Sequence, residues 1–145
     1  MGALQMTTTE RESFLADLHV GVLAVERADG PPLITPIWYR YEPGGAVEFS
    51  TDASSVKGRL LVAAGRATLC VQREALPYAY VTVDGPVTFG EASDDVRRDI
   101  AVRYLGPEMG QAYMASNASG DNTLVRLTPQ RWHTVDYTKL DLPSG

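Results

Sequence analysis

The chain has 145 residues, 44% hydrophobic and 21% charged, a balance that suits one packed domain and argues against a disordered chain. Lys and Arg number 13 against 18 Asp and Glu, a formal charge of −5, so nothing in the overall charge favours non-specific binding to nucleic acid. One cysteine, Cys70, and two histidines, His19 and His133, exclude an intrachain disulfide and leave a multi-cysteine zinc site or a His-rich metal site without enough ligands.

Residues 1–9 lack a charged start followed by an apolar stretch, and no apolar run approaches the ~18 residues of a membrane helix. A cytoplasmic location is therefore expected. Thr7…Glu10 and Thr9…Glu12 form overlapping capping boxes for a first helix, with Phe14, Leu15 and Leu18 on one face. Residues 19–25 read as a strand buried on both faces. After the turn at Asp29-Gly30-Pro31-Pro32, residues 33–41 form a second strand, and Glu42-Pro43-Gly44-Gly45 turns into a third at 46–51. Ser54 or Ser55 caps a second helix, in which Val56, Leu60 and Ala64 recur every four residues and which Gly65 ends.

Strands at 66–72 and 78–89 follow, the second bent at Asp84-Gly85-Pro86 as a bulge would bend it. Ser93 caps a third helix with the apolar stripe Val96, Ile100 and Tyr104. Asp94…Arg98 and Asp99…Arg103 are i,i+4 pairs on its wet side, and Gly106-Pro107 stops it. Residues 108–116 suit one more short helix, and a last extended stretch running to Tyr137 is broken or bulged at Pro129. Tight turns between successive strands argue an antiparallel sheet. The expected fold is mainly β (α+β): a six-stranded antiparallel barrel with flanking helices, one domain over residues 1–145.

Two segments carry chemistry. At Ser54-Ser55-Val56-Lys57-Gly58-Arg59, a hydroxyl-capped helix start bears Lys57 and Arg59. Cations there oppose the helix dipole by roughly 0.3–1 kcal/mol each, and a bound phosphate reverses the sign of that effect. The competing reading leaves both side chains in water. At Thr35-Pro36-Ile37-Trp38-Tyr39, a proline interrupts a convincing strand, which marks an edge, a bulge or a ligand's border, with Trp38 as a flat apolar wall. The plainer reading is an edge strand with Trp38 in the core or a dimer interface. Tyr78, Tyr80, Trp132 and Tyr137 line a planar-ligand pocket if clustered and are ordinary core or interface residues if scattered. No hydrolase motif or paired-carboxylate arrangement is present. Cys70 reads as a buried thiol, and both histidines as satisfied structural residues.

In this order, Gly21-Val22-Leu23-Ala24-Val25, Asp29-Gly30-Pro31-Pro32, Pro36-Ile37-Trp38-Tyr39, Phe49-Ser50-Thr51, Val56-Lys57-Gly58-Arg59-Leu60 and Ala67-Thr68-Leu69-Cys70-Val71 resemble the pyridoxamine-phosphate-oxidase-like split β-barrels. Arg131-Trp132-His133-Thr134-Val135-Asp136-Tyr137 resembles the end of the actinobacterial members, the flavin/deazaflavin oxidoreductases of group B. The resemblance implies a homodimer with cofactor sites at the subunit interface and a small-molecule substrate, with no nucleic acid or membrane partner. The cofactor is coenzyme F-420 (a deazaflavin) or FMN. Lys57 and Arg59 would hold its phosphate with Ser50, Thr51, Ser55 and Gly58, and the backbone of Thr35, Pro36, Ile37 and Trp38 would lie along its ring. A second copy, near Tyr80 and Trp132, would complete the pocket.

The expected activity is hydride transfer from the reduced cofactor to a small conjugated or heteroaromatic substrate, with Tyr78, Tyr80 or water as proton source. The alternative is a non-catalytic carrier of a flavin, deazaflavin or haem-like ligand. Val56-Lys57 replaces the oxidases' Arg-Lys, Tyr80 stands in place of a glutamine that contacts FMN, and no substrate-binding arginine follows near Gly145. Pyridoxamine-phosphate oxidase activity itself is therefore not expected. Arg40, Arg66 and Arg73 are candidates for the acidic tail of coenzyme F-420.

Overall fold

The computed structural model of the chain describes residues 2–117 and 122–140. Helix α1 (Thr8–Ala16) starts at Thr7, whose hydroxyl accepts the Glu10 amide while the Glu10 carboxylate accepts the Thr7 amide. Lys139 donates to the same carboxylate, and that contact with the Thr7 amide bond draws the Glu10 pKa down to about 2. The helix ends at Ala16, so Leu18 lies beyond it, 60% exposed, while Phe14 and Leu15 are buried.

The carbonyls at the end of a helix need outside donors. Here the Tyr39 hydroxyl donates to Leu15 O at 2.7 Å, and Arg103 donates to the carbonyls of Ala16 and Asp17. Tyr39 is fully buried, and burial is the main reason its phenol is held well above the ordinary tyrosine pKa. Tyr39→Phe leaves the Leu15 carbonyl inside without a partner. A loss of about 1–3 kcal/mol is expected, read as a lower urea midpoint at unchanged slope.

Among the described residues seven strands form the sheet: β1 (Gly21–Val25), β2 (Leu33–Ile37), β3 (Val47–Thr51), β4 (Arg66–Arg73), β5 (Ala79–Glu91), β6 (Thr123–Leu127) and β7 (Arg131–Asp136). Every pairing is antiparallel, in the path β2-β1-β4-β5-β6-β3, with β7 beside β5. The sequence reading counted six strands because it joined β6 to β7. Residues 128–130 separate them, and the two pair with different halves of β5: residues 87–91 with β6 and residues 79–84 with β7. Asp84-Gly85-Pro86 lies where β5 passes from one set of neighbours to the other.

Period-two alternation fills the interior with Leu23, Val25, Val47, Phe49, Leu69, Val71, Val81, Val83, Val125 and Leu127. β1 is buried on one face only: Val22 on the outer face is 38% exposed, opposite Cys70, which is half-buried rather than buried.

The sheet curls until its two end strands approach. Just past β2, Arg40 and Glu48 exchange backbone hydrogen bonds of 2.9 Å, and the Arg40 side chain reaches the carboxylates of Glu48 and Asp99. That bridge pins one end of the gap between β2 and β3. The rest of the gap stays open, which makes a split half-barrel.

Helix α2 (Val56–Ala64) follows β3, capped by Ser55. Helix α3 (Asp94–Ser116), capped by Ser93, breaks at Gly106, whose φ of 83° is left-handed and whose successor is Pro107. Its two halves fold back, so that Arg97 near the start donates to the Asn117 carbonyl past the end. The helix therefore pairs its charges differently from the i,i+4 expectation: Arg97 with Asp94, Arg98 with Asp95, Asp99 with Arg40, and Arg103 with the end of α1. No helix among the described residues is long and apolar enough to cross a membrane.

Candidate functional site

A proline is tolerated in β2 because the strand lies at an edge of the sheet, paired only with β1. Its other side opens into the gap. A cleft of about 250 Å³ lies there, lined by Pro36, Ile37 and Trp38 from the β2 side, Ser50 from β3, Lys57 from α2, and Arg97, Ile100, Ala101 and Tyr113 from α3. Trp38 is held flat by stacking on Tyr104, with ring centres 5.3 Å apart and planes within 7°, and Tyr113 tilts against it at 5.7 Å. The Tyr104 hydroxyl is fixed in turn, donating to His19 O and accepting the Tyr39 amide. The apolar wall is therefore rigid before any ligand arrives.

A second cleft of about 320 Å³ also reaches Lys57 and is lined by Leu33, Thr35, Thr51, Asp52, Ser55 and Val56. Lys57 thus stands between an aromatic compartment and a hydroxyl-rich one. Lys57 makes no ion pair or side-chain hydrogen bond among the described residues, and neither does Arg59. At the start of α2 the Ser55 hydroxyl accepts the Gly58 amide and donates to Asp52 O. Val56 and Lys57, at the first helical positions, have no intrahelical acceptor for their amides. The carboxylate of Asp52, a residue on the rim of the second cleft, accepts both the amide and the hydroxyl of Ser54, and these bonds lower its pKa.

The structure brings together Thr35, Pro36, Ile37, Trp38, Ser50, Thr51, Ser55 and Lys57 from the residues singled out in the sequence. Gly58 sits beside them for a packing reason. A Cβ there would fall 2.4 Å from Asp52 O and 2.9 Å from the Ala53 backbone, so only glycine lets this loop close on the helix. Arg59 lines neither cleft. Two residues apart on a helix, Lys57 and Arg59 point ~200° apart, so they do not form one pair around one anion.

Tyr80 and Trp132 lie elsewhere in the chain, on β5 and β7. Tyr80 contacts His133, with its hydroxyl 3.2 Å from Nε2, and Trp132 lies under Arg11. Tyr78 and Tyr137 are exposed neighbours, the Tyr137 amide donating to Tyr78 O at 2.9 Å, and none of the four aromatic residues lines either cleft. His19 is satisfied by Phe14, through its carbonyl and by ring stacking.

The three arginines considered for an acidic tail are engaged elsewhere: Arg40 with Glu48 and Asp99, Arg66 with Glu26, and Arg73 with the Pro77 carbonyl. Sequence reasoning missed Arg97 and Tyr113. Both sit on α3, and only the fold-back at Gly106, a contact across twenty positions of chain, brings them to the same cleft.

A family model described as pyridoxamine 5′-phosphate oxidase matches residues 7–136. No curated protein matches the chain in sequence. Among solved structures, a conserved hypothetical protein from Mycobacterium tuberculosis superposes with a TM-score of 0.79 at 22% identity, over 100% of this chain and 94% of that one. An F420 reductase aligns at 0.65 and 23% identity, over 84% of this chain and 94% of its own. An FAD-binding protein from Mesorhizobium loti aligns at 0.65 and 20% identity, over 89% and 94%. These likenesses establish the fold.

Proposed function

Because the chain belongs to the pyridoxamine 5′-phosphate oxidase family, we propose that the cleft between β2 and β3 holds a phosphate-bearing flavin-type ring, coenzyme F-420 or FMN, and that the protein is an oxidoreductase acting on a small conjugated or heteroaromatic substrate. The observation that carries this reading is the placement of Lys57. An unpaired cation beside free helix-start amides stands next to a rigid aromatic wall. The donor set suits the group: Lys57, the free amides of Val56 and Lys57 and the hydroxyls of Thr35 and Thr51 for a phosphate, with Ser55 holding the helix start in shape, and Pro36, Ile37 and Trp38 for a flat ring. The solved structures that share the fold include an F420 reductase and an FAD-binding protein, which supports a flavin-type ligand.

When bound, such a cofactor supplies hydride chemistry to an acceptor. The chain's own work is to bind and orient. Trp38, locked by Tyr104, fixes one wall. The prolyl residue at 36 offers a carbonyl and no N–H along the open edge of β2. Ile100 and Ala101 keep water from one side of the cleft. Tyr113 is the phenol nearest to where a substrate would lie and replaces Tyr78 and Tyr80 as the candidate proton donor within this chain. Tyr80 and Trp132 enter the reading only through a second copy, and the exposed outer-face residues Val22 and Ile34 are suited to meeting one.

Purified protein titrated with each cofactor and followed by visible absorption is expected to bind one of them with micromolar affinity. Binding of neither removes the reading. Reoxidation of the bound reduced cofactor by enones, quinones or tetrapyrroles indicates an enzyme, and tight binding with no organic acceptor indicates a carrier.

A further inference from the structure

We infer that Arg97 is a specificity-determining residue that receives a carboxylate on the substrate, so that the substrate class is a flat, conjugated carboxylic acid in its ionised form. The inference rests on the cofactor reading of the same cleft and adds the charge of the second ligand.

The chain carries a net charge of −5, yet among the described residues the charged ones lining the aromatic cleft are Lys57 and Arg97, both cations. Arg97 is only 7% exposed. Burying a guanidinium is costly unless its donors are used, and a cation in the first turns of a helix also opposes the helix dipole. Its partners only partly answer that cost. Asp94 is 3.5 Å away with its side chain 78% exposed, and the Asn117 carbonyl takes one more N–H. A guanidinium has five N–H groups; the others have no partner among the described residues, and the residue lines the cleft.

Lys57 faces both compartments and is the cation assigned to the cofactor, which leaves Arg97 for whatever lies against it. The fork of a guanidinium matches a carboxylate with two parallel bonds. Around it, beyond the wall given to the ring, stand Ile100, Ala101 and Tyr113, which suit a flat apolar body. Arg97 also clips the two halves of α3 together, but that role alone is indifferent to the charge of a ligand.

The test compares trans-cinnamate with trans-cinnamamide, matched in shape and differing in charge, by calorimetry on the full chain loaded with its preferred cofactor. Cinnamate is expected to bind at least tenfold tighter than the amide. Arg97→Met should bring the ratio close to one, Arg97→Lys should restore part of it, and a thermal melt verifies that each variant is folded. Equal affinities in the wild type, a ratio unchanged in folded Arg97→Met, or no cinnamate binding at millimolar concentration each overturns the inference, the first and last without any variant. If neither cofactor loads, the cofactor reading fails by itself. The same comparison in Lys57→Met protein, where Arg97 is the cation left on the cleft wall, then decides the Arg97 inference separately.

Discussion

Lys57→Glu is expected to weaken binding of FMN or coenzyme F-420 by more than a hundredfold. A charge-assisted hydrogen bond to a phosphate contributes about 1.5–3 kcal/mol, which is roughly 10- to 100-fold in affinity when the lysine becomes methionine. Glutamate adds repulsion of the phosphate to that loss, beside a second acidic residue, Asp52, among those lining the same cleft. Lys57 is half-buried at the junction of the two clefts, so water screens the lost attraction only partly. Flavin fluorescence quenching reads the change, with riboflavin as the phosphate-free comparator. Lys57→Met should discriminate sharply, weakening FMN and leaving riboflavin nearly unaffected. An equal loss for both would mean that Lys57 supports the ring and not the phosphate. Arg59→Met, on the other side of the helix, is expected to change FMN affinity less than Lys57→Met does.

Gly85→Ala is expected to cost about 3 kcal/mol of stability and lower the melting temperature by roughly 10 °C. A Cβ at position 85 would fall 1.9 Å from the Thr128 carbonyl oxygen and 3.3 Å from Gln130 Cβ. The loop between β6 and β7 is laced to β5 on both sides of that point: the Gln130 amide donates to Asp84 O at 2.9 Å and the Thr128 amide to Pro86 O at 3.0 Å. Backbone cannot swing aside as a flexible side chain does, so the loop must lift and strain both bonds. Gly90→Ala serves as the control. It lies on the same strand, but nothing stands within 4 Å of its added Cβ, and little change is expected. Thermal denaturation of the two variants side by side gives the comparison.

Much of the fold was legible because its signals are local. Hydroxyl caps at Thr7, Ser55 and Ser93 mark three helix starts, and alternation marks the strands. Pro36 marks an edge because a strand residue without an N–H has few other places to be. The same local logic misread the C-terminal segment. Pro129 signals a break or a bulge in one extended stretch, and the structure shows a break into two strands, because β5 is long enough to accept β6 along residues 87–91 and β7 along residues 79–84. On α3 the spacing Asp94…Arg98 and Asp99…Arg103 looked like surface pairing. Arg103 instead serves carbonyls of α1, and Asp99 serves Arg40, both partners far away in sequence. Lys57 stands out in the sequence as a cation at a hydroxyl-capped helix start, where it opposes the dipole, and the structure places it on the cleft wall. The place of Arg97 on that wall is not legible, since its neighbour Arg98 looks the same in sequence and only burial separates them.

The walls of the cleft are close in sequence, yet they are the two ends of the path β2-β1-β4-β5-β6-β3. Their spacing is therefore the accumulated result of every register between them, and a slip at any strand shows up as a gap of the wrong width. A fragment stopping before Thr123 would contain both walls and lack the last link that holds β3 in place. A ligand that spans the gap acts as a gauge of the whole assembly. At a hundred times its dissociation constant it would add about 2.7 kcal/mol to global stability, and substitutions remote from the opening would be felt as weaker binding.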